Sequence, residues 1–230
     1  MQQKKSIFFV MVVFFLTNSY AVDSLKTDPD PKRFQTEIEA FKKWDQKNSF
    51  PEDAILFAGS SSIRMWKTHD AFPQYRLINR GFGGAHITDV LYYYNEVILK
   101  YNPQLIVFYC GDNDISSNFP VEQVYEDYLE LILKITKDFP EVKFVYISVK
   151  PSGSRWQHWD RMDALNKKIE KYNQQRENLL YVDLATPLLD KDGKPDTAFF
   201  LSDQLHLNEK GYEVWNSMLS EILESIYTNN

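Results

Sequence analysis

Three consecutive hydroxyl side chains, Ser60, Ser61 and Ser62, follow directly on an apolar segment and a glycine. The apolar segment Ile55–Ala58 is rich in residues that favour strands, and Gly59 predicts a turn at the carboxyl end of that strand. In open α/β sheets, ligand crevices form at the carboxyl ends of the strands. A serine at this position could act as a nucleophile, provided that a histidine base and oxyanion donors reach it.

Two histidines are candidates for that base. His206 follows Asp203 by three residues, and in a helical turn this spacing places both side chains on one face, where the carboxylate can orient the imidazole. The same pair could also be a cap at the start of a helix, with a histidine on the surface. His158 lies in an aromatic loop with Asp160 nearby, but no acid stands three residues before it. The residues alone leave both histidines open.

Two glycine-containing segments could supply the oxyanion donors. Asn79–Gly84 carries three glycines in four positions, which lets backbone N–H groups approach a ligand, although a tight strand-to-helix turn has the same composition. The segment lacks the GxGxxG spacing of a dinucleotide site. The second segment, Gly111–Asp114, is typical of a turn, but its Asn113 amide could donate to an oxyanion. Its two acids point in different directions, which disfavours a glycosidase carboxylate pair or a cation site.

Strand-like and helix-like segments alternate along the chain, which predicts a parallel sheet with helices on both faces. The strand candidates are Ile55–Ala58, Arg76–Asn79, Leu105–Cys110, Lys143–Val149 and Leu179–Asp183. The helix candidates are Arg33–Asn48, Val90–Lys100, Val121–Phe139, Trp159–Gln175 and Asn208–Tyr227. The predicted fold class is therefore α/β, a single three-layer α/β/α domain with a central, mainly parallel five-stranded sheet.

Three long irregular stretches each follow a predicted strand. They are Asp112–Pro120, Lys150–His158 and Ala185–Gln204. Because the carboxyl ends of parallel strands lie at one edge of the sheet, we expect all three stretches at the same edge as Ser61.

The first 21 residues predict a cleavable secretory signal. Lys4 and Lys5 precede ten apolar residues, Ile7–Leu16, and small residues lead to Ala21 in the pattern of a cleavage site. The apolar run is short for a membrane anchor, which needs about 20 residues, and no second apolar stretch approaches that length. We expect cleavage after Ala21, one domain over residues 22–230, export to the periplasm or the medium, and no stable membrane insertion.

Charge and the metal-binding residue types exclude further classes of function. Removing the leader with its two lysines takes the formal net charge from −6 to −8, which disfavours nucleic acid as a partner because no basic stripe could neutralise phosphates. The four histidines lie far apart and show no HExxH spacing, so we expect no metal and no cofactor. Cys110 is the only cysteine and is expected to be a buried thiol. The sequence leaves the oligomeric state open.

Four segments, in this order and in these structural contexts, resemble the SGNH (GDSL-type) hydrolase superfamily. Gly59-Ser60-Ser61 matches the first block of that superfamily, Asn79–Gly84 the second, Gly111-x-Asn113-Asp114 the third, and Asp203-x-x-His206 the last. The resemblance extends from about residue 54 to the closing helix. It implies the flavodoxin-like fold of SGNH hydrolases.

The resemblance also implies roles for individual residues. Ser61 would be the nucleophile and His206 the base, oriented by Asp203. The oxyanion hole would combine the backbone N–H groups of Ser61 and Gly84 with the Asn113 side chain. No cofactor or metal would be required.

Two positions depart from the pattern of the superfamily. Ser60 stands where many members have aspartate, and Ala85 replaces an aspartate that often follows the second-block glycine. Neither change removes a group with an implied catalytic role, but both bear on the hydrogen bonds around Ser61.

We therefore predict an exported serine esterase that acts on short-chain carboxylic esters through an acyl-serine, with an acetylated glycan or a small-molecule ester as its substrate. Arg64, Trp66, Arg155 and Trp156 could flank the crevice, because aromatic faces and arginine donors suit sugars, although tryptophans often serve as packing residues. The alternatives are a lysophospholipase or thioesterase-type lipolytic hydrolase, an O-acetyltransferase that uses the same triad, and a non-catalytic glycan-binding module.

Overall fold

The computed structural model describes residues 25–228, which form an α/β fold with a five-stranded sheet. The strands are β1 (Ile55–Gly59), β2 (Leu77–Gly81), β3 (Leu105–Tyr109), β4 (Lys143–Ile147) and β5 (Leu179–Val182). They follow the order β2-β1-β3-β4-β5, and every neighbouring pair is parallel. The direction of strand addition reverses between β1 and β3, and ligands bind at such a switch point in open α/β sheets.

Helices connect the strands along the chain. The α-helices are α1 (Gln35–Asp45), α2 (Ser61–Arg64), α3 (Thr68–Ala71), α4 (Ile87–Tyr92), α5 (Tyr94–Val97), α6 (Asp112–Ser116), α7 (Val121–Asp138), α8 (Trp159–Asn173) and α9 (Glu209–Thr228). Short 3₁₀ turns cover Pro31–Phe34, Leu99–Tyr101, Gly153–His158, Thr186–Leu188 and Thr197–Phe199. Within residues 25–228, no helix is both long and apolar enough to cross a membrane.

The two faces of the sheet contribute to two separate apolar cores. Successive strand residues point to opposite faces, so Ile106 and Phe108 of β3 pack into one core together with side chains of α1, α4, α7 and α8. Val107 of the same strand packs into the other core, which includes Trp215 and Leu219 of α9. The predicted three-layer α/β/α architecture is therefore confirmed.

The predicted helix Val90–Lys100 is wrong in its boundaries and in its continuity. The chain forms α4 from Ile87, then α5, and then a 3₁₀ turn, with Tyr93 in a non-helical conformation between α4 and α5. The Tyr93 ring packs edge-on against Phe82, and its hydroxyl donates to the Pro31 carbonyl at 3.1 Å. These tertiary contacts hold Tyr93 and interrupt a segment whose periodicity alone favours one helix.

The predicted irregular stretches contain more regular structure than expected. Asp112–Pro120 includes the short helix α6, and Lys150–His158 includes the 3₁₀ turn Gly153–His158. The stretches nevertheless lie together, because Arg155 contacts Asn113 and the Ser154 N–H donates to the Gln204 carbonyl at 3.0 Å. The predicted leader, residues 1–21, lies outside the described residues.

Candidate active site

Ser61 lies at the turn between β1 and α2, as predicted. Gly59 ends β1 with a φ of +129°, and a Cβ on this glycine would lie 2.0 Å from the Tyr109 carbonyl oxygen of the neighbouring strand. Only glycine therefore fits at this position, where the backbone must take a conformation that L side chains rarely adopt. The turn brings Ser61 to the start of α2, where the residue is buried and only 8% exposed.

The described structure brings Ser61, His206 and Asp203 into one hydrogen-bonded chain. His206 Nε2 lies 3.1 Å from Ser61 Oγ, and His206 Nδ1 lies 2.7 Å from Asp203 Oδ2. With Asp203 ionised, Nδ1 carries the proton and Nε2 is left as the acceptor that faces the serine hydroxyl. This is the arrangement of a nucleophile, a base and an orienting acid.

The Asp203–His206 pair lies in a tight turn and not in the helical turn that the spacing predicts. Helix α9 begins only at Glu209. Asp203 Oδ1 instead accepts the backbone N–H groups of Leu205 and His206 at 2.9 and 3.0 Å, while Gln204 takes a positive φ of 53°. The aspartate thus closes the turn with one oxygen and orients the imidazole with the other, a use of Asp that is common in turns.

The hydrogen bonds to Asp203 keep it ionised. Partial burial alone would raise the pKa of Asp203, but the bonds from the His206 ring and from two backbone N–H groups outweigh it and hold the pKa at about 2. The carboxylate therefore stays charged at every pH at which the protein is expected to work.

The two segments predicted to supply oxyanion donors are joined to each other. Asn113 Nδ2 donates to the Ala85 carbonyl at 3.0 Å, and the Ile87 N–H donates to Asp114 Oδ1, also at 3.0 Å. Gly84 has a φ of +77° and open space where a Cβ would lie, so its backbone is accessible to a ligand. These bonds fix the loop that carries Gly84 against the start of α6.

Asp114 is a supporting residue whose role the sequence did not show. It is buried, and burial raises its pKa well above the ordinary range, against the bond from the Ile87 N–H. Its position beside Asn113 in the third block was the only sequence signal that could have pointed to this bracing role.

Comparison with known proteins identifies the family. The sequence profile of the GDSL-like lipase/acylhydrolase family matches residues 60–214, more than half of the chain. The chain belongs to this family. The expected membership of the SGNH/GDSL superfamily is thus confirmed, and the matched range holds Ser61, Asn113 and the Asp203–His206 pair. No curated protein sequence matches significantly.

Solved structures share the fold of this chain. A Streptococcus pneumoniae protein provisionally described as a platelet activating factor has a TM-score of 0.74 at 21% identity, over 83% of this chain and 93% of its own. A GDSL-like lipase from Bacteroides thetaiotaomicron has a TM-score of 0.69 at 22% identity, over 86% and 98%. An acetylxylan esterase from Geobacillus stearothermophilus has a TM-score of 0.61 at 14% identity, over 74% and 93%.

The four predicted substrate-binding residues lie in different environments. Trp66 is only 3% exposed and packs against Phe57, Phe72 and Trp215 in the apolar core, while its Nε1–H donates to Asn216 Oδ1 at 2.7 Å. Burial of its indole stabilises the core, and the small part of Trp66 that is exposed contributes to a groove that Met65 and Tyr212 also line. Its place beside a substrate stays a prediction.

Arg64 and Trp156 lie nearer to solvent. The Arg64 guanidinium covers Gly83 and forms an ion pair with Glu37 at 3.1 Å, with about half of its side chain exposed. Trp156 stacks on Trp159 with the two rings 14° from parallel and their centroids 6.0 Å apart. Both residues thus keep part of their side chains accessible to solvent.

Arg155 is directed into the GDSL-family site and contacts protein groups on two sides. Its NH2 donates to Asn113 Oδ1 at 2.9 Å, and its NH1 forms an ion pair with Asp112 Oδ2 at 3.1 Å. Asp112 also faces the buried Lys150. Burial raises the pKa of Asp112, but Lys150 and Arg155 outweigh this effect and bring the pKa below its ordinary value. The sequence analysis considered Asp112 only as part of a carboxylate pair or cation site and did not consider Lys150, although Lys150 directly follows the predicted strand Lys143–Val149.

Among the described residues, no group of three or more His, Cys, Asp or Glu side chains could hold a metal ion.

Proposed function

We propose that this acylhydrolase is an exported serine esterase that cleaves short-chain esters, acetyl esters above all, through an acyl-Ser61 intermediate. One observation carries the proposal: the Ser61 hydroxyl lies 3.1 Å from His206 Nε2, and the opposite ring nitrogen is held by Asp203 at 2.7 Å. Distances of this size place a nucleophile and its base within reach of direct proton transfer.

The geometry supports the following reaction. Ser61 Oγ attacks the ester carbonyl carbon while its proton passes to His206 Nε2, and the carbonyl oxygen becomes an oxyanion held by the Ser61 and Gly84 N–H groups and the Asn113 amide. The C–O bond to the alcohol then breaks, and the alcohol leaves with the proton from His206. Water attacks the acyl-serine with His206 again taking the proton, and collapse of the second tetrahedral intermediate releases the acid and restores Ser61.

An acetylated glycan is the substrate class that the partly exposed aromatic and arginine side chains favour. The parallel Trp156–Trp159 pair and the half-exposed Arg64 guanidinium offer an aromatic face and hydrogen-bond donors, which suit sugars. The fold is shared with an acetylxylan esterase. The net charge of −6 for the whole chain works against a polyanionic acyl-CoA substrate.

A groove lined by residues that follow α2 and His206 in the chain favours a second candidate, a lipolytic hydrolase for longer acyl chains. The groove has a volume of about 500 Å³, and Met65, Leu201 and Leu207 contribute apolar side chains to it. Met65 follows α2, and Leu207 follows His206 directly, so an acyl chain on Ser61 would have this apolar surface close by. Met65 and Leu201 are exposed, as the walls of an open acyl groove would be.

Initial rates on p-nitrophenyl acetate, butyrate and octanoate test the proposal and separate the two candidates. We expect the highest kcat/KM on acetate and no turnover by Ser61→Ala. A preference for octanoate would favour the lipolytic candidate. Turnover by Ser61→Ala at the wild-type rate, or no hydrolysis of any of the three esters by folded wild-type protein, would contradict the proposed function.

A further inference from the structure

Three charged side chains that take no part in the proposed reaction lie directly beneath the site. Lys150 and Asp112 have side chains that are only 1% and 4% exposed, and the Arg155 side chain is 18% exposed. Asp112 Oδ2 lies 3.1 Å from Arg155 NH1 and 3.5 Å from Lys150 Nζ, which also donates to the Tyr109 hydroxyl at 3.2 Å. Burying charges is costly unless they are paired and hydrogen-bonded, so these groups form one mutually dependent network.

The network ends at the oxyanion donor. Arg155 NH2 donates to Asn113 Oδ1 at 2.9 Å, and on the other side Asn113 Nδ2 donates to the Ala85 carbonyl at 3.0 Å. A guanidinium can only donate and a carbonyl oxygen can only accept, so the two neighbours permit one orientation of the amide. A flipped amide would place N–H against N–H at Arg155 and oxygen against oxygen at Ala85.

The permitted orientation is the one that the reaction needs. Nδ2 carries two hydrogens, and the Ala85 carbonyl takes one of them, which leaves the second for an oxyanion. Rotation about the last bond of an asparagine side chain is otherwise broad and roughly two-fold. Without Arg155, the amide could turn its oxygen toward the developing negative charge, where it would repel the oxyanion.

We propose that Arg155, held in place by Asp112 and Lys150, is a positioning residue that locks the Asn113 amide with its N–H groups toward the oxyanion. This inference rests on the proposed function and replaces the predicted role of Arg155 as a substrate-binding residue. Arg155 acts through Asn113, because its NH2 already donates to Asn113 Oδ1 and its NH1 is buried 3.1 Å from Asp112 Oδ2.

The test combines Arg155→Met, Asn113→Ala and the double variant, with kcat and KM measured separately on p-nitrophenyl acetate. Removing an oxyanion donor costs about 10²–10³ in kcat, and misplacing one costs up to about 10². We expect Arg155→Met to lower kcat about 10- to 100-fold with KM within about threefold of wild type. The double variant should fall within about threefold of Asn113→Ala alone, because Arg155 has nothing left to position.

Arg161→Met is the matched control. Arg161 belongs to α8 and donates to the Ile115, Asn118 and Phe119 oxygens near α6, without a contact to Asn113. Arg161→Met therefore measures how far the loss of any arginine next to α6 affects the rate. We expect the kcat of this variant to stay within about threefold of wild type.

Several results would overturn the inference. A raised KM with unchanged kcat in Arg155→Met would mean that Arg155 binds substrate, and losses that multiply in the double variant would mean that it acts independently of Asn113. Wild-type kcat in Asn113→Ala would mean that Asn113 is not an oxyanion donor, so Arg155 would have no donor to position. Activity of Ser61→Ala is a separate result, because it would contradict the proposed function itself.

Arg155→Lys provides a second variant in case Arg155→Met does not fold. The lysine keeps a positive charge beside Asp112 but cannot bridge Asp112 and Asn113 with one planar group. We expect folded protein by circular dichroism and a loss of kcat that again disappears in the Asn113→Ala background. Full kcat in Arg155→Lys would contradict the inference.

Discussion

At the scale of single residues, the site depends on contacts between distant parts of the sequence. Ser61 and His206 are 145 positions apart, yet their side chains meet at 3.1 Å. His206 can accept the serine proton only at Nε2, because Asp203 holds the other ring nitrogen. The hydrogen bonds that hold the pKa of Asp203 at about 2 keep its carboxylate ionised, and therefore able to orient the imidazole, across the neutral range.

A comparison of two histidine variants tests the assignment of the base. His206→Ala should lower kcat by a factor on the order of 10³ or more, because the serine loses its proton acceptor. His158→Ala should stay within about threefold of wild type, since His158 lies at the end of the 3₁₀ turn Gly153–His158 and the Ser61 hydroxyl faces His206. Steady-state rates on p-nitrophenyl acetate decide between them. A larger loss in His158→Ala would contradict the assignment.

The sequence predicted some of these residues and misjudged others for a physical reason. Two local contexts, a strand-end turn and a short acid–histidine spacing, made the serines and the Asp203–His206 pair candidates, and the resemblance to the SGNH superfamily then selected Ser61 and His206. The position that a long side chain takes in the fold cannot be predicted from its local sequence in this way. Trp66 and Arg155 were both expected at the crevice, and tertiary packing places the first in the core and the second against Asn113.

At the scale of elements, the approach of β1 to β3 positions the nucleophile. Gly59 permits this approach because the Tyr109 carbonyl occupies the space where any Cβ would lie. The turn that follows starts α2 at Ser61, and Ser60 closes it by accepting the Ile63 and Arg64 N–H groups at 3.0 and 3.1 Å. The end of a strand and a turn at a glycine can be predicted from the sequence. The break between α4 and α5 cannot, because it depends on where the Tyr93 ring packs.

Gly59→Ala should destabilise the fold by at least about 3 kcal/mol, because it combines a strained φ with a 2.0 Å contact to backbone. Gly193→Ala is the control, since Gly193 also has a positive φ but has open space around it, and its cost should be about 1 kcal/mol. Urea unfolding of both variants measures the difference. Equal losses of unfolding free energy in the two variants would show that the contact with the Tyr109 carbonyl does not contribute to the destabilisation.

Helix α7 carries a carboxyl group that should make stability depend on pH. Burial, followed by the neighbouring charges of Asp28, Glu130 and Glu126, raises the pKa of Asp127 to about 7. The folded state therefore keeps a proton that the unfolded state releases near pH 4, so this group lowers stability as pH rises from about 4 to about 7, and the penalty is complete above pH 7.

Asp127→Asn should accordingly stabilise the protein by on the order of 1 kcal/mol at pH 8 and by much less at pH 4. The gain at pH 8 is this small because water screens much of the penalty at this half-buried position. Glu141→Gln, at an exposed position beyond the end of α7 and not among the charges that act on Asp127, should change stability by no more than about 0.5 kcal/mol. Urea unfolding at both pH values provides the measurement. A stabilisation by Asp127→Asn that is larger at pH 4 would refute the sign of the effect.

At the scale of the whole molecule, the sheet order brings loops from separate strands to one edge. The alternation of strand-like and helix-like segments predicted the parallel sheet, and the order β2-β1-β3-β4-β5 places the ends of β1 and β3 side by side at the switch point. Ser61 and Asn113 follow these two strands. The order itself could not be obtained from single segments, because strand pairing is decided by long-range contacts.

Export is a prediction about the whole chain that can be tested directly. Expression in a host with a functional secretion system should yield a protein that begins at Val22, since the pattern around Ala21 is that of a cleavage site. Intact-mass analysis of the exported fraction measures the new terminus. Retention of residues 1–21 on the exported protein would contradict the prediction.

The central claim, that Ser61 carries the acyl group, is tested most directly by trapping the intermediate. Wild-type protein mixed with excess p-nitrophenyl acetate and quenched in acid should show one added acetyl group by mass spectrometry, located by peptide fragmentation at Ser61. Ser61→Ala treated in the same way should remain unmodified. An acetyl group on another residue in the wild-type protein, accompanied by full turnover in Ser61→Ala, would contradict the account.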